Sequence, residues 1–253
     1  MGTGILQDKI AIVTGSGRGL GQGLALALAD EGARIMVCGR TADTVAETVT
    51  RIEDRGGKAI SMVSDVTDSD QIDALVQRTV DEFGGLDILI NNAQIVPLGR
   101  LLEVEDADFD AGWRSGPLAT FRLMRACHPY LQGGGVIVNL GTGASLRPDP
   151  IGYGTYAAVK EAIRALTRAA AVEWGADGIR VHAIVPLASS SAFEWWASER
   201  PEEFEAFRAT VPLGRIGDPE TDIGRAVVFL CGPDSGYMTG NTLLIDGGQA
   251  FLR

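Results

Sequence analysis

The chain has 253 residues, 45% of them hydrophobic, with 22 Lys and Arg against 33 Asp and Glu for a net charge of -11. That length and apolar content can build a full core in one domain, while the acidic balance, with no basic stripe, argues against binding a nucleic-acid backbone. No apolar run nears the roughly 20 residues of a membrane span, and the opening MGTGILQDKI lacks the charged-then-apolar order of a secretory signal, so a soluble cytoplasmic protein is expected.

Along the chain, apolar strand-like runs alternate with longer helical patterns. The runs are KIAIVTG, ARIMVCG, KAISMVSD, LDILINNA, GVIVNLG, GIRVHAIVP and NTLLIDGG. Small and apolar residues recur at helical spacing over 19–31, 41–55, 69–83, 117–131, 155–174 and 219–231. This alternation predicts an α/β protein with a parallel sheet covered on both faces, and nothing divides it, so a single domain over residues 1–253 is expected. Cys38, Cys127 and Cys231 are odd in number and far apart, and His128 and His182 are isolated. Neither a disulfide framework nor a metal site is expected from them.

The first strand runs into TGSGRGLGQGLALAL, which includes Gly15, Gly17, Arg18, Gly19, Leu20 and Gly21. Glycines at this place permit a tight turn and let the backbone approach a pyrophosphate, toward which the next helix points its N–H groups and positive dipole. The position, directly after the first strand of a βαβ unit, makes a dinucleotide site the expectation.

Taken with SDV after the third run, NNA after the fourth, YAAVK, and the closing PLGRIGDPETDIGRAVVFLCGPDSGYMTGNTLLIDGG, the glycine turn makes nearly the whole chain resemble the short-chain dehydrogenase/reductase family. The resemblance implies a Rossmann-type, doubly wound sheet of seven strands and a homo-oligomer, tetramer or dimer, acting on a small-molecule substrate. The place at the end of the second strand where an acidic residue would accept ribose hydroxyls is Gly39, with Arg40 beside it and Arg18 in the turn. Two guanidiniums suit a 2′-phosphate, so NADP(H) is favoured over NAD(H). Asp65 and Val66 match the residues that border the adenine. The alternative for Asp65 is that it belongs only to the polar entry to the next helix, where Asp68 and Gln71 have capping-box spacing. Asn92 and Ala93 match the segment along the cofactor, but the family's next residue, glycine, is Gln94 here.

Tyr156 and Lys160 lie one helical turn apart and so share a face. The ammonium, together with an oxidised nicotinamide, would favour the phenolate, making Tyr156 an acid/base while Lys160 also holds ribose hydroxyls. The family's serine and asparagine are both absent. The asparagine position falls on Gly116, with Ser115 expected to point elsewhere. Strand register puts Thr142 in the serine slot, fourteen positions before the tyrosine, whereas the more usual spacing of about thirteen lands on Gly143. Only Thr142 offers a hydroxyl to a carbonyl oxygen. Pro186 is followed by Leu187 rather than glycine, and Ser191 occupies the place of a threonine near the nicotinamide. Residues 188–215 should form a substrate lid whose Phe193, Trp195, Trp196, Phe204 and Phe207 suggest an apolar wall, or simply packing within the protein. These residues predict a ketone/secondary alcohol oxidoreductase for a hydrophobic or cyclic substrate. Non-redox chemistry through the tyrosine, and dinucleotide binding with little catalysis, are the alternatives.

Overall fold

The computed structural model describes residues 4–148 and 152–252. Seven parallel strands form one sheet: β1 (Ile10–Thr14), β2 (Arg34–Gly39), β3 (Lys58–Val63), β4 (Ile88–Asn91), β5 (Val136–Leu140), β6 (Arg180–Pro186) and β7 (Thr242–Ile245). Their spatial order is β3-β2-β1-β4-β5-β6-β7. β1 therefore pairs on one side with β2, Val13 facing Val37, and on the other with β4, Val13 facing Ile90. The chain reverses its direction of growth across the sheet at β1/β4, and the carboxyl ends of those strands leave a crevice.

The helices joining the strands are α1 (Gly19–Asp30), α2 (Ala42–Asp54), α3 (Ser69–Phe83), α4 (Asp106–Trp113), α5 (Ala119–Leu131), α6 (Gly154–Trp174), α7 (Ser191–Glu199), α8 (Pro201–Arg208) and α9 (Arg225–Cys231). Successive strand residues point to opposite faces, and both faces are apolar. Ala11, Val13, Ile35 and Val37 pack with Leu24 and Leu28 of α1, Ile52 of α2 and Val227 of α9. Ile12, Met36, Leu89 and Ile137 pack with Leu75 of α3, Leu123 of α5 and Ala170 of α6. This is why the strands read as continuous hydrophobic runs. The closest helix contact is between α1 and the turn before α9, where a Cβ on Gly23 would lie 2.5 Å from Pro219 and one on Gly224 would lie 2.5 Å from Ala27.

Two expected helices are not α-helical throughout. The segment expected over 117–131 is entered through a π-wound turn at Arg114–Leu118 that continues α4, and the segment 219–231 opens with a second at Pro219–Gly224. Pro117 lies within the first, and a proline both removes an N–H from the ladder and crowds the carbonyl one turn back. α3 starts as expected, with Asp68 accepting the backbone N–H groups of Asp70 and Gln71 and the Gln71 side chain bonding back to it. The segment 188–215 holds α7 and α8. Phe193, Trp196, Phe204 and Phe207 stack on one another there with ring centroids 5.2–6.4 Å apart, whereas Trp195 is 60% exposed. Four of the five aromatics of this segment thus form a half-buried cluster of their own. No helix among the described residues is long and apolar enough to cross a membrane.

Candidate active site

A cleft of about 320 Å³ opens at the carboxyl ends of β1 and β4. Gly15 and Gly19, at φ 64° and 56°, turn the chain from β1 into α1 through the left-handed region that side chains disfavour. A Cβ on Gly21 would lie 2.4 Å from the Gly15 carbonyl oxygen, and one on Gly17 would lie 2.5 Å from the Thr44 hydroxyl. These two glycines act by close packing and not by lining the cleft. The Asn92 amide donates to the carbonyls of Thr14 (2.9 Å) and Gly15 (3.2 Å), and the Thr14 hydroxyl accepts from the N–H groups of Asn92 and Ala93. β4 is thereby tied to the glycine turn. The start of α1 carries neither a side-chain cap nor an acidic residue in its first turn, so its N–H groups and dipole are left to an anion. These features fit the pyrophosphate of a dinucleotide.

Of the residues singled out from the sequence, Gly15, Arg18, Gly19, Arg40, Asp65, Val66, Asn92, Ala93 and Ser191 line this cleft, as do Gly39 and Gln94. Arg18 and Arg40 are exposed at its mouth. One oxygen of Asp65 accepts from the backbone N–H and hydroxyl of Thr67, while the Asp65 N–H donates to Gln71. Asp65 thus lies both on the cleft wall and at the polar entry to α3. Leu20, Gly21 and Gly17 stand behind the turn, and Pro186 ends β6 paired with Ile245. Ser190, rather than Ser191, caps α7 by accepting from the Phe193 N–H.

Ser64, Thr67, Ile95, Ser115 and Ser190 also line the cleft, and the sequence offered no pattern to select them. Ser115 corrects an expectation. It lines the cleft within the π-wound turn, and its hydroxyl donates to the Ala111 carbonyl (2.7 Å) and accepts from the Ile95 N–H (3.0 Å). Beneath the cleft, Asn139 of β5 donates to Thr167 of α6 (2.9 Å) and accepts from Asn91 of β4 (2.8 Å). This fully buried chain fixes α6 against the sheet.

α6 carries Tyr156 and Lys160 beside the end of β5. The Thr142 hydroxyl stands near that of Tyr156, where it favours ionisation of the phenol, and it accepts from the Ala144 N–H at 3.3 Å. Gly143 opens a short 3-10 turn, and a Cβ there would meet nothing closer than Ala250 at 4.0 Å. The Lys160 Nζ lies 5.6 Å from the centroid of the Tyr156 ring. Lys160 is 3% exposed, and burial brings its pKa down to about 7. Burial also pushes Tyr156 up to about 12, with the Thr142 hydroxyl opposing and the Tyr153 charge adding to the rise. In the protein alone, burial thus works against the expected phenolate and also against the ammonium meant to favour it.

The family model described as enoyl-(acyl carrier protein) reductase matches residues 15–250. A 12alpha-hydroxysteroid dehydrogenase of a Clostridium species is 42% identical over 255 residues, covering 97% of this chain and 98% of that one. The (2S)-[(R)-hydroxy(phenyl)methyl]succinyl-CoA dehydrogenase subunit BbsD of Thauera aromatica is 33% identical over 98% of each chain. Among solved structures, a dehydrogenase/reductase from Sinorhizobium meliloti 1021 superposes with a TM-score of 0.90 at 35% identity, covering 98% of this chain and 97% of that one.

Proposed function

The chain belongs to the short-chain dehydrogenase/reductase family, and from that premise we propose that it is an NADP(H)-dependent oxidoreductase interconverting a ketone and a secondary alcohol on a hydrophobic, cyclic substrate. The observation that carries the proposal is that Thr142 stands beside the Tyr156 hydroxyl and that Lys160 Nζ lies 5.6 Å from the centroid of the Tyr156 ring, one turn further along α6. When bound, the nicotinamide cofactor supplies or accepts the hydride. Thr142 then donates to the substrate oxygen, Tyr156 delivers its proton to the forming alkoxide, and Lys160 supports the tyrosine electrostatically and holds ribose hydroxyls. With its pKa near 12, Tyr156 keeps that proton throughout the neutral range, which suits reduction. In the alcohol-to-ketone direction it must first ionise, so that rate should rise with pH.

Gly15, Gly17, Gly19, Leu20 and Gly21 would form the pyrophosphate turn, Asp65 and Val66 the adenine edge, Asn92, Ala93, Pro186 and Ser191 the wall toward the nicotinamide. Arg18 and Arg40 at the cleft mouth would take the 2′-phosphate. Residues 188–215 act as the substrate lid, and the hydroxysteroid relative makes a polycyclic ketone the first substrate class to try. Exposed Phe109, Trp113, Phe121 and Val172 on α4, α5 and α6 support assembly into a dimer or tetramer, and we place the protein in the cytoplasm. The test is oxidation of NADPH with a panel of cyclic and steroid ketones. Turnover should appear with at least one and fall by about 10²–10⁴-fold in Tyr156→Phe, with NADPH affinity retained. Substrate conversion without a change in cofactor absorbance would refute the redox reading.

A further inference from the structure

From the sequence, the aromatics of residues 188–215 should wall the substrate, yet Phe193, Trp196, Phe204 and Phe207 pack on one another. Beside Tyr156 the structure offers a different apolar surface. The loop after β4 begins at the cleft, where Ile95 is part of the lining, and runs over the start of α6. There the Thr155 hydroxyl donates to the Pro97 carbonyl (3.0 Å) and the Gly99 N–H donates to the Gly152 carbonyl (2.9 Å). A Cβ on Gly152 would lie 3.0 Å from the Gly99 carbonyl carbon, and one on Gly154 would lie 3.2 Å from Leu101 Cδ2. The loop and the helix start are therefore clamped together. Two apolar side chains stand out from this clamp: Leu101 is 75% exposed, and Tyr153, the residue before α6, is 37% exposed. Adjoining apolar groups left in water on a fixed backbone are a surface that burial against an apolar ligand stabilises.

Tyr153 also stands next to the group that carries the chemistry. The Ala157 N–H donates to the Tyr153 carbonyl (2.8 Å), so the first helical turn already begins there, and residues three apart share a face. Side chains on a helix lean toward its N-terminus, which carries Tyr156 over the turn that holds Tyr153. Their ring centroids are 6.3 Å apart with the planes tilted by 57°, and the phenols are near enough for the Tyr153 charge to raise the Tyr156 pKa. We infer that Tyr153 is a specificity-determining residue: its exposed ring, backed by the clamped loop that carries Leu101, is the surface on which the second ring of a fused-ring ketone rests while the carbonyl oxygen meets Tyr156. The inference rests on the proposed oxidoreductase site and assigns that site its substrate wall. A second fused ring brings the apolar area that such a surface covers, and a tyrosine can give its face to it while its hydroxyl stays in water.

The experiment uses the full-length protein and two ketones, cyclohexanone and trans-1-decalone, which differ by a fused ring. Tyr153→Ala should lower the ratio of kcat/KM for the decalone to that for cyclohexanone by at least about tenfold, with the KM for NADPH within about twofold of wild type. Tyr153→Phe, which keeps the ring, should restore the ratio to within about threefold. An unchanged ratio in Tyr153→Ala, or one that Tyr153→Phe fails to restore, overturns the inference. A second readout needs no turnover. The chain has four tyrosines, Tyr130, Tyr153, Tyr156 and Tyr237, so labelling with 3-fluorotyrosine gives a fluorine resonance for each, and that of Tyr153 is the one lost in Tyr153→Phe. Titrating trans-1-decalone into the NADP+ complex should move it and leave those of Tyr130 and Tyr237 in place. A Tyr153 resonance that stays put up to the solubility of the ketone overturns the inference. Failure of the oxidoreductase reading would instead appear as no NADPH oxidation by the wild type with any ketone of the panel, and the fluorine titration then still decides the role of Tyr153.

Discussion

Lys160→Met isolates the cost of keeping an ammonium beneath the site. Burial lowers the lysine from 10.5 to about 7, so the folded protein releases its proton well before the unfolded chain does. Below pH 7 the group is charged in both states and the full desolvation cost opposes folding. Between pH 7 and 10.5 the unfolded chain binds more protons than the folded one, and stability rises with pH as that cost fades. At about 1.4 kcal/mol per pH unit, the cost is on the order of 5 kcal/mol at pH 6 and about 2 kcal/mol at pH 9. Methionine, similar in length and uncharged, removes it at every pH. Urea unfolding of both proteins at pH 6, 7.5 and 9 should therefore show the variant gaining most at pH 6 and its advantage shrinking by on the order of 2–3 kcal/mol by pH 9, although turnover is lost. Taking the difference between the two proteins cancels other titrations common to both. A stability difference that does not change with pH, or that grows as pH rises, would refute the reasoning.

Thr142→Ala should reduce kcat by about 10²–10³-fold through loss of the oxygen donor, whereas Gly143→Ser, placed in open space, should change it by less than about threefold. Steady-state kinetics with one accepted ketone separates the two. Arg18→Ala and Arg40→Ala should each weaken NADPH binding by about 10–100-fold, as expected for the loss of a charge-assisted bond. They should leave NADH affinity nearly unchanged in a tryptophan-fluorescence titration. Gly21→Ala puts a methyl 2.4 Å from the Gly15 carbonyl oxygen and 2.5 Å from the Asn92 amide. Thermal unfolding should register a loss of about 1–3 kcal/mol, accompanied by weaker NADPH binding as the glycine turn is displaced.

The sheet and most of its helices were legible because their signal is local. Buried parallel strands must be apolar on both faces, and the helices that cover them must show one apolar stripe, so seven runs and six helical patterns mark the elements by position. The pairing of Tyr156 with Lys160 was legible for the same reason, since a spacing of four is one turn. Thr142 against Gly143 was not decided by spacing, because the loop before α6 can absorb a residue. Strand register favoured Thr142, and the end of β5, held in register with β4 and β6, leaves Thr142 beside Tyr156.

Other features depend on elements distant in sequence. Ser115 reaches the cleft from within a π-wound turn that no periodicity announces. Phe193, Trp196, Phe204 and Phe207 cluster with one another because α7 and α8 fold back on each other. Gln94 and Gly116 look in the sequence like two unrelated losses, yet a Cβ on Gly116 would lie 2.8 Å from Gln94 Nε2, so in space one fills what the other leaves. The pKa values of Tyr156 and Lys160 depend on how completely water is excluded around them. The sequence by itself determined the order of strands and helices, the glycine turn and the tyrosine–lysine spacing, since each is written in residues a few positions apart. Only the tertiary structure decided which hydroxyl meets the tyrosine, what fills the space over Gly116 and how far the lysine is desolvated, because each of these is set by neighbours contributed from other strands and helices.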